Sequence, residues 1–162
     1  MEYFRMLTTD DIDAYYKVLH RGYQSDRQYD ISFTAMDATK EEERVWLMQN
    51  PTYAWFIDDC MVSAITLRMP WGPKPGPRVF PHIGQFVTDP DFKHCGYATK
   101  LLRAVEQNII IKELKSPAVT LGTAEEHPWL KEMYEKMGFT CFGKIQLKNK
   151  KHKTVYFQKN LI

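Results

Sequence analysis

Residues 85–101 read QFVTDPDFKHCGYATKL, in which an aromatic and β-branched segment passes through a compact loop into an amphipathic helix. The loop carries a cation, a glycine and a small residue at Lys93, Gly96 and Ala98. The first N–H groups of a helix have no acceptor inside it, and small residues there leave the backbone open to a phosphate. The stretch therefore predicts an anion site, although tight packing alone produces the same pattern. The motifs GxxxxGK(S/T) and GxGxxG of other phosphate loops are absent.

On both sides of this stretch, alternating apolar residues predict strands and a 3.6-residue period predicts helices. The predicted strands are Glu2–Leu7, Thr52–Ile57, Cys60–Arg68, His82–Thr88, Ala118–Thr123, Thr140–Leu147 and Thr154–Leu161. The predicted helices begin at residues 8–11, at Thr39, near Ala98 and at Pro128, and end near Gly22, before Pro51, near Leu114 and at Gly138. The order β-α-α-β-β-β-α-β-α-β-β predicts an α/β (α+β) fold, a single domain over residues 1–162 with helices on both faces of one twisted sheet.

The composition is that of an ordinary globular chain of 162 residues, with 44% hydrophobic and 26% charged residues. A formal net charge of +2 argues against nucleic acid as the main partner. The first residues lack a signal-peptide pattern, and no apolar run approaches the roughly 18 residues of a membrane span, so we expect a cytoplasmic protein without a membrane partner. Three separated cysteines without a CxxC pair predict reduced thiols and no thiolate metal site.

A proline-rich segment covers residues 69–81 and holds five of the nine prolines. Such a segment cannot form a helix or a central strand. It is either a solvated loop or a wall over a ligand cleft, since long loops of compact domains often cover ligands. Trp71 and Phe80 within the segment favour the wall.

A second motif lies at residues 129–139, which read WLKEMYEKMGF. Together with residues 93–98, this motif resembles the GNAT superfamily of N-acetyltransferases. The family has an Arg/Gln-x-x-Gly-x-Gly/Ala loop for coenzyme A between a central strand and a helix, and a later helix and turn of the form LYEKLGF. Lys93 departs from the pattern, because a lysine lacks the two-pronged guanidinium of arginine. His127 and Leu130 stand where many members have Asn and Ala.

The resemblance implies a central mixed, mostly antiparallel sheet, acetyl-CoA as the co-substrate and no metal ion. In the family, the strand before the loop separates from its neighbour, so its free backbone groups hold the pantetheine arm and the thioester oxygen. The loop holds the pyrophosphate mainly through its backbone. The coenzyme-binding residues predicted in this way are Phe86, Val87, Thr88, Lys93, His94, Cys95, Gly96, Tyr97, Ala98, Thr99 and His127.

Two residues are the predicted catalytic groups. Tyr134 resembles the tyrosine that usually serves the family as general acid and protonates the departing sulfur. Its alternative is a tyrosine packed on the apolar face of its helix beside Leu130 and Met137. His82 lies four residues before Phe86 on the same face of an alternating strand, where an imidazole could accept the ammonium proton. Its alternative is a structural histidine at the start of a strand.

The other candidates near the site have weaker chemistry. Glu125 and Glu126, at the end of a strand, are rival bases, and surface charge at a helix start is their alternative. Gln85 cannot act as a base, although it could orient a water or the substrate. Cys95 lies beside a helix start, which lowers the pKa of a thiol, yet the loop would place it at the phosphates. We therefore expect direct transfer in a ternary complex.

The acceptor is expected between the first two helices and the proline-rich segment, where aromatic side chains offer apolar walls. Asp26 or Asp30 would pair with a cationic amine. The predicted acceptor residues are Tyr23, Tyr29, Phe33, Trp71, Gln85 and Glu125.

These features together predict an acetyl-CoA-dependent N-acetyltransferase that modifies a primary amine of a small molecule, as a monomer or homodimer. Three alternatives remain open. A noncatalytic acyl-CoA-binding module would keep the loop and need no acid. A protein or peptide N-acetyltransferase would use the same chemistry on a lysine or an N-terminus. An unrelated nucleotide-binding domain would bind ATP and not coenzyme A.

Overall fold

One β-sheet organises the chain in the computed structural model, which describes residues 1–24, 37–127, 129–148, 150 and 152–162. Its strands are β1 (Glu2–Met6), β2 (Thr52–Ile57), β3 (Cys60–Arg68), β4 (His82–Thr88), β5 (Ala118–Ala124), β6 (Thr140–Gln146) and β7 (Lys153–Asn160). The described α-helices are α1 (Ile12–Tyr23), α2 (Lys40–Gln49), α3 (Tyr97–Val105) and α4 (Leu130–Lys136).

The strands lie in the order β1-β2-β3-β4-β5-β7-β6 across the sheet. Neighbouring strands are antiparallel except β4 and β5, which are parallel. The mixed, mostly antiparallel sheet implied by the resemblance is confirmed. β4 and β5 pair only through His82 with Thr120 and through Ile83 with Leu121, so the two strands separate beyond Ile83. This split leaves the rest of β4 without a strand partner on that side.

Helices cover both faces of the sheet, each pair over its own apolar cluster. Leu102 and Tyr134 bring α3 and α4 into one cluster. Leu19 and Leu47 bring α1 and α2 into the other. The two-sided layer fold predicted from the order of elements is therefore confirmed. In the part of the chain that the structure describes, no helix is both long and apolar enough to cross a bilayer.

Local capping explains where the first helices begin. The Glu42 N–H donates to Thr39 Oγ1 at 3.1 Å, and the Thr39 N–H donates to Glu42 Oε1 at 3.1 Å. This reciprocal pair satisfies two amides at the start of α2. Thr8 and Asp11 form the same arrangement ahead of α1. α2 ends before Pro51, because proline disfavours helical backbone at the residue that precedes it.

The predicted strand limits agree with the structure within one residue, but the helix after the anion loop differs. The sequence predicts one helix to Leu114, whereas α3 ends at Val105 and the chain continues in a wider, π-helical segment over Glu106–Ile111. This segment buries Glu106, whose carboxylate pairs with Lys159 of β7 at 2.9 Å. The predicted helix start at Pro128 lies outside the described residues.

Candidate active site

Where β4 and β5 separate, a cavity of about 700 Å³ opens between the sheet, the loop after β4 and helices α3 and α4. Tyr134 of α4 lines this cavity together with the predicted coenzyme residues of β4 and the loop. The predicted coenzyme residues that line this cavity are Phe86, Val87, Thr88, Lys93, His94, Gly96, Tyr97, Ala98, Thr99 and His127. The structure thus gathers the two sequence motifs around one cavity.

Cys95 is the one predicted coenzyme residue that does not line this cavity. Its thiol is exposed and lies 3.5 Å from the carbonyl oxygen of Lys93, to which it donates. The side chain therefore turns away from the ligand space.

The backbone of the loop opens toward the cavity. Gly96 precedes α3 with a φ of +83°, a left-handed conformation that glycine adopts without strain. A Cβ atom on Gly96 would meet no atom within 4 Å, so the space beside its Cα is open. The N–H groups of the first turn of α3 have no acceptor inside the helix, and Lys93 adds a positive charge. The loop is equipped to hold a phosphate through its backbone.

Contacts from α1 hold this loop in place. Asp89, directly after β4, accepts a hydrogen bond from the Asp91 N–H at 2.9 Å and pairs with Arg21 at 3.0 Å. Arg21 also lies 3.1 Å from the Asp91 carboxylate. Gly22 packs so closely on β4 that a Cβ atom there would lie 2.0 Å from Cγ2 of Val87. α1 therefore fixes both the end of β4 and the start of the loop.

Tyr23, the last residue of α1, reaches the split between the strands. Its hydroxyl lies 3.3 Å from the carbonyl oxygen of Phe86, to which it donates, and 3.3 Å from the Phe86 nitrogen, from which it accepts. The resemblance assigns these same backbone groups to the pantetheine arm. Binding of the arm at this position would exchange the Tyr23 hydrogen bonds for bonds to the coenzyme. The sequence predicts Tyr23 only as a wall of the acceptor cleft.

A second cavity, of about 590 Å³, lies between α2, the proline-rich loop, the start of β4 and the segment between β6 and β7. We call it the acceptor cavity, and the first one the coenzyme cavity. The residues that line both cavities are Tyr23, Ile83, Gly84, Gly122 and Thr123. The two cavities therefore meet at the strand split, where a group bound in one can react with a group bound in the other.

The proline-rich loop forms a wall of the acceptor cavity. Arg68, at the end of β3, donates from Nε to the carbonyl of Lys74 at 2.7 Å and from Nη2 to that of Pro75 at 3.2 Å. A Cβ atom on Gly76 would lie 2.5 Å from the ring of His82, because the loop packs directly on β4. The structure therefore supports the interpretation of this segment as a wall over a ligand cleft and not as a solvated loop.

Two of the predicted acceptor residues, and one of the rival bases, do not line the acceptor cavity. Trp71 is 74% exposed and lines neither cavity of the described structure. Glu125 also lies outside both, and Lys144 at 2.9 Å lowers the pKa of its carboxyl. Glu126 accepts a hydrogen bond from the backbone of Lys153 at 3.2 Å. The prediction that Trp71 and Glu125 contact the acceptor is not supported. The remaining candidates, Tyr29, Phe33, Asp26 and Asp30, lie outside the described residues.

His82 lines the acceptor cavity but is a weak proton acceptor. The ring is 3% exposed, and its Nδ1 lies 2.8 Å from Thr120 Oγ1. Burial and the nearby Arg68 lower the pKa of His82 to about 3. An imidazole this weakly basic would not keep a proton taken from an ammonium group, which weighs against its predicted role as base.

Glu43 is a carboxylate of the acceptor cavity that sequence reasoning missed. It lies in the run KEEERVWLMQ of α2, and it is the charged residue of that helix that is buried, at 2% exposure. Gln85 Nε2 donates to Glu43 Oε1 at 3.2 Å, and burial raises the pKa of Glu43 to about 7. Glu43 lies four residues before the buried Leu47, and this spacing on one helix face is the signal that could have found it.

Gln85 connects Glu43 to α1. The Tyr15 hydroxyl donates to Gln85 Oε1, which leaves the Gln85 amide hydrogens for Glu43. Burial raises the pKa of Tyr15 well above its usual range, so this hydroxyl stays protonated and keeps its donor role. The predicted role of Gln85, to orient a group and not to act as a base, fits this geometry.

Split strands, an anion-binding loop and two cavities that meet at the split define an enzyme that transfers a group from a phosphorylated co-substrate to an acceptor. No trio of metal-binding side chains is grouped among residues 1–24, 37–127, 129–148, 150 and 152–162. The model of the Acetyltransferase (GNAT) family matches residues 9–139. The chain belongs to this family and is an acetyl-CoA-dependent N-acetyltransferase. The predicted family and co-substrate are confirmed.

Two relatives are similar over most of the chain. S-(2-succino)cysteine N-acetyltransferase of Bacillus subtilis (strain 168) is 40% identical over 158 residues, which cover 98% of this chain and 95% of that protein. S-alkylcysteine N-acetyltransferase of the same strain is 33% identical over 140 residues, or 86% of this chain and 79% of that protein. Among solved structures, PaiA N-acetyltransferase from Thermoplasma acidophilum in complex with coenzyme A has the same fold, with a TM-score of 0.72, 13% identity and 99% of both chains covered.

Proposed function

We propose that the enzyme acetylates the α-amino group of S-substituted cysteines whose substituent carries carboxylates, such as S-(2-succino)cysteine. The observation that carries the proposal is the 40% identity, over 98% of this chain, to S-(2-succino)cysteine N-acetyltransferase. The relative named for S-alkylcysteine is more distant, at 33% identity over 86% of the chain. That difference favours the acceptor that bears more carboxylates.

The charges around the acceptor cavity support an anionic acceptor. Arg68 and Lys74 both line it, and neither forms an ion pair with a carboxylate in the part of the chain that the structure describes. The guanidinium of Arg68 donates hydrogen bonds to the backbone carbonyls of Lys74 and Pro75. The Lys74 ammonium lies 5.7 Å from the centre of the Trp46 ring. A cation that forms no close ion pair within the protein can pair with a carboxylate of the acceptor. S-(2-succino)cysteine carries carboxylates at both ends, whereas S-methylcysteine carries one at a single end.

In this proposal, the coenzyme lies along β4. Backbone N–H groups of residues 93–99 hold the pyrophosphate, and the backbone of Phe86–Thr88 holds the pantetheine arm, so that the thioester reaches the strand split. The acyl group arrives as an activated thioester, and the two cavities bring the amine to it in a ternary complex. The transfer is therefore direct and needs no acetylated cysteine.

Tyr134 is the general acid of the proposed mechanism. It lines the coenzyme cavity at 7% exposure, and its ring packs against Phe139 at 5.9 Å and Phe157 at 6.1 Å between ring centres. These contacts hold the ring in place at the edge of the cavity. From this position it protonates the sulfur as the bond between carbon and sulfur breaks.

A panel of acceptors tests the proposed substrate. Release of coenzyme A is measured with a thiol reagent against S-(2-succino)cysteine, S-methylcysteine, kanamycin and a lysine-containing peptide. We expect kcat/KM to be highest for S-(2-succino)cysteine, about tenfold above S-methylcysteine, the effect of one charged hydrogen bond of about 1.4 kcal/mol. Equal values for the two cysteines would contradict a preference for the extra carboxylates. Faster turnover of the peptide would instead identify a protein-modifying enzyme.

Lys74→Met tests the cationic wall. Because the substitution removes the charge and keeps the length of the side chain, KM for S-(2-succino)cysteine should rise about tenfold. KM for S-methylcysteine should stay within about twofold, since only the substituent loses its partner. Lys112→Met removes an exposed lysine away from both cavities and is the matched control. An equal rise in KM for both acceptors would contradict a contact with the substituent.

We also propose that the enzyme works in the cytoplasm, as a monomer or homodimer. Cys60, Cys95 and Cys141 are all free and exposed, an arrangement that suits a reducing compartment. Size-exclusion chromatography with light scattering measures the assembly, and a mass above that of a dimer would contradict the proposal.

A further inference from the structure

An acceptor amine is an ammonium ion near neutral pH, and it must lose a proton before its nitrogen can attack a thioester. The acceptor cavity therefore needs an anion that meets the ammonium and a base that takes the proton. Glu42 and Glu43 are the carboxylate residues that line it in the described structure. Glu42 Oε1 accepts the Thr39 N–H at 3.1 Å and caps α2. Glu43 does not cap the helix, and its hydrogen bond is to the side chain of Gln85 at 3.2 Å.

We propose that Glu43 is the general base of the transfer, because its carboxylate is buried in the acceptor cavity and one of its oxygens is left for the acceptor ammonium. The inference rests on the N-acetyltransferase activity and not on which amine is the acceptor. It places the base on α2, whereas the sequence predicts it on β4 at His82.

The two oxygens of Glu43 have different surroundings. Oε1 accepts a hydrogen bond from Gln85 Nε2 at 3.2 Å. Oε2 is buried and has no hydrogen-bond partner among the described residues. A buried carboxylate oxygen without a donor costs free energy, and in a native protein it points to a bound water, ion or ligand or to a catalytic role. An ammonium group in the acceptor cavity supplies both the missing donor and the missing positive charge.

The proposed transfer begins with deprotonation of the acceptor. The ammonium gives one proton to Glu43, and the nitrogen lone pair forms a bond to the thioester carbonyl carbon. The carbon–sulfur bond then breaks and the sulfur takes a proton from Tyr134. The second nitrogen proton, lost as the amide forms, returns Tyr134 to its protonated form. Ammonium and thioester thus give amide, thiol and one proton, which Glu43 passes to solvent.

Several ionisable groups lie around Glu43 in the acceptor cavity. Burial raises its pKa to about 7, which suits a base at neutral pH; Glu42 on the same helix raises it further, and Lys74 from the proline-rich loop lowers it. The pKa of His82 falls to about 3, and burial also lowers the pKa of His152. The other ionisable residues that line the cavity are Arg68, Lys150, Tyr23 and Tyr156, and Tyr15 donates a hydrogen bond to Gln85.

Glu43→Gln tests the proposal through the pH dependence of kcat/KM. The acceptor is S-(2-succino)cysteine or, if that compound is not acetylated, the amine of the panel that releases coenzyme A fastest. The role of Glu43 can then be tested even if the proposed acceptor is wrong. In the unmodified enzyme we expect kcat/KM to rise with pH, with an apparent pKa near 7 for this rising limb. In the variant this limb disappears, and kcat/KM at pH 7 falls about 10²-fold. The loss shrinks to less than about tenfold at pH 9.5, where free amine no longer needs a base.

Two further variants separate a base from a structural residue. Glu41→Gln makes the same change on the same helix, at an exposed carboxylate that pairs with Arg44 at 2.6 Å, and it should leave the pH profile unchanged. Gln85→Met removes the donor to Glu43 and should move the limb to higher pH, since that hydrogen bond lowers the pKa of Glu43. The proposal would be overturned if kcat/KM of Glu43→Gln fell by the same factor at pH 7 and pH 9.5. It would also be overturned if the rising limb of the pH profile remained in this variant.

Discussion

Tyr134 differs from a simple packing residue by its hydroxyl, and Tyr134→Phe removes that group alone. The ring keeps its contacts with Phe139 and Phe157, so the coenzyme Kd should stay within about twofold of the unmodified enzyme. Without the general acid, the single-turnover rate should fall about 10²-fold. Rapid mixing measures that rate free of product release, and calorimetry measures the Kd. Tyr16→Phe, away from both cavities, is the control. An unchanged single-turnover rate would assign Tyr134 to packing.

In the proposed position of the coenzyme, a second residue, Tyr23, competes with the pantetheine arm for the backbone of Phe86. Its hydroxyl holds both polar groups of Phe86 at 3.3 Å, so pantetheine binding there first has to displace it. Tyr23→Phe removes that competitor, and the Kd of coenzyme A should fall about threefold, as expected for a hydrogen bond worth roughly 0.6 kcal/mol net. Calorimetric titration with coenzyme A measures the change. A Kd that rises would show that the Tyr23 hydroxyl itself binds the coenzyme.

At the scale of elements, the loop before α3 depends on the open space at Gly96. Gly96→Asp places a carboxylate where no atom of the described protein lies within 4 Å of the new Cβ, so the fold should survive apart from the modest strain of a positive φ. The charge would face the coenzyme phosphates, and binding of coenzyme A should be lost.

Gly143→Asp is the matched control for Gly96→Asp. Gly143 lies in β6, lines neither described cavity and has the same empty space at its Cβ position. Thermal unfolding verifies both folds, and calorimetry measures coenzyme binding. Coenzyme affinity retained in Gly96→Asp would show that the phosphates bind elsewhere.

Most element limits could be predicted because their signals are local. Asp58 and Asp59 form the turn between β2 and β3, and both have positive φ values, of 46° and 68°, which aspartate tolerates better than most residues. Thr39 and Glu42 mark the start of α2 in the same local way. The sequence does not predict the π-helical segment after α3, and the burial of Glu106 within it depends on Lys159 of β7, a contact that no local pattern shows.

At the scale of the whole molecule, the two halves of the site differ in how the sequence encodes them. The proposed coenzyme half comes from continuous motifs, whose resemblance to the family implies the loop and Tyr134, and the structure brings both to one cavity. The acceptor half is assembled by folding: Gln85 lies 42 positions from Glu43 and 70 from Tyr15 along the chain. The local spacing places Glu43 on the same helix face as Leu47 but does not show its contact with Gln85, and so the sequence predicts a base on β4 and not on α2.

The burial of Glu43 also makes the stability of the whole protein depend on pH. Its pKa is raised from 4.5 to about 7, so the folded chain binds this proton more tightly than the unfolded chain, and the protein loses stability as pH rises between those values. The loss amounts to about 3 kcal/mol at 1.36 kcal/mol for each pKa unit. Glu43→Gln does not titrate, so its Tm relative to the unmodified protein should rise by roughly 5–10 °C between pH 5 and pH 8.

Differential scanning calorimetry at both pH values measures this change, and other titrating groups cancel because they are present in both proteins. Glu41→Gln serves again as the control: Arg44 lowers the pKa of Glu41, so that carboxyl is ionised across the whole interval and its variant should shift Tm equally at pH 5 and pH 8. The same equal shift in Glu43→Gln would mean that Glu43 titrates in the ordinary range of a solvated carboxylate. Glu43 would then have too low a pKa to act as a base at neutral pH.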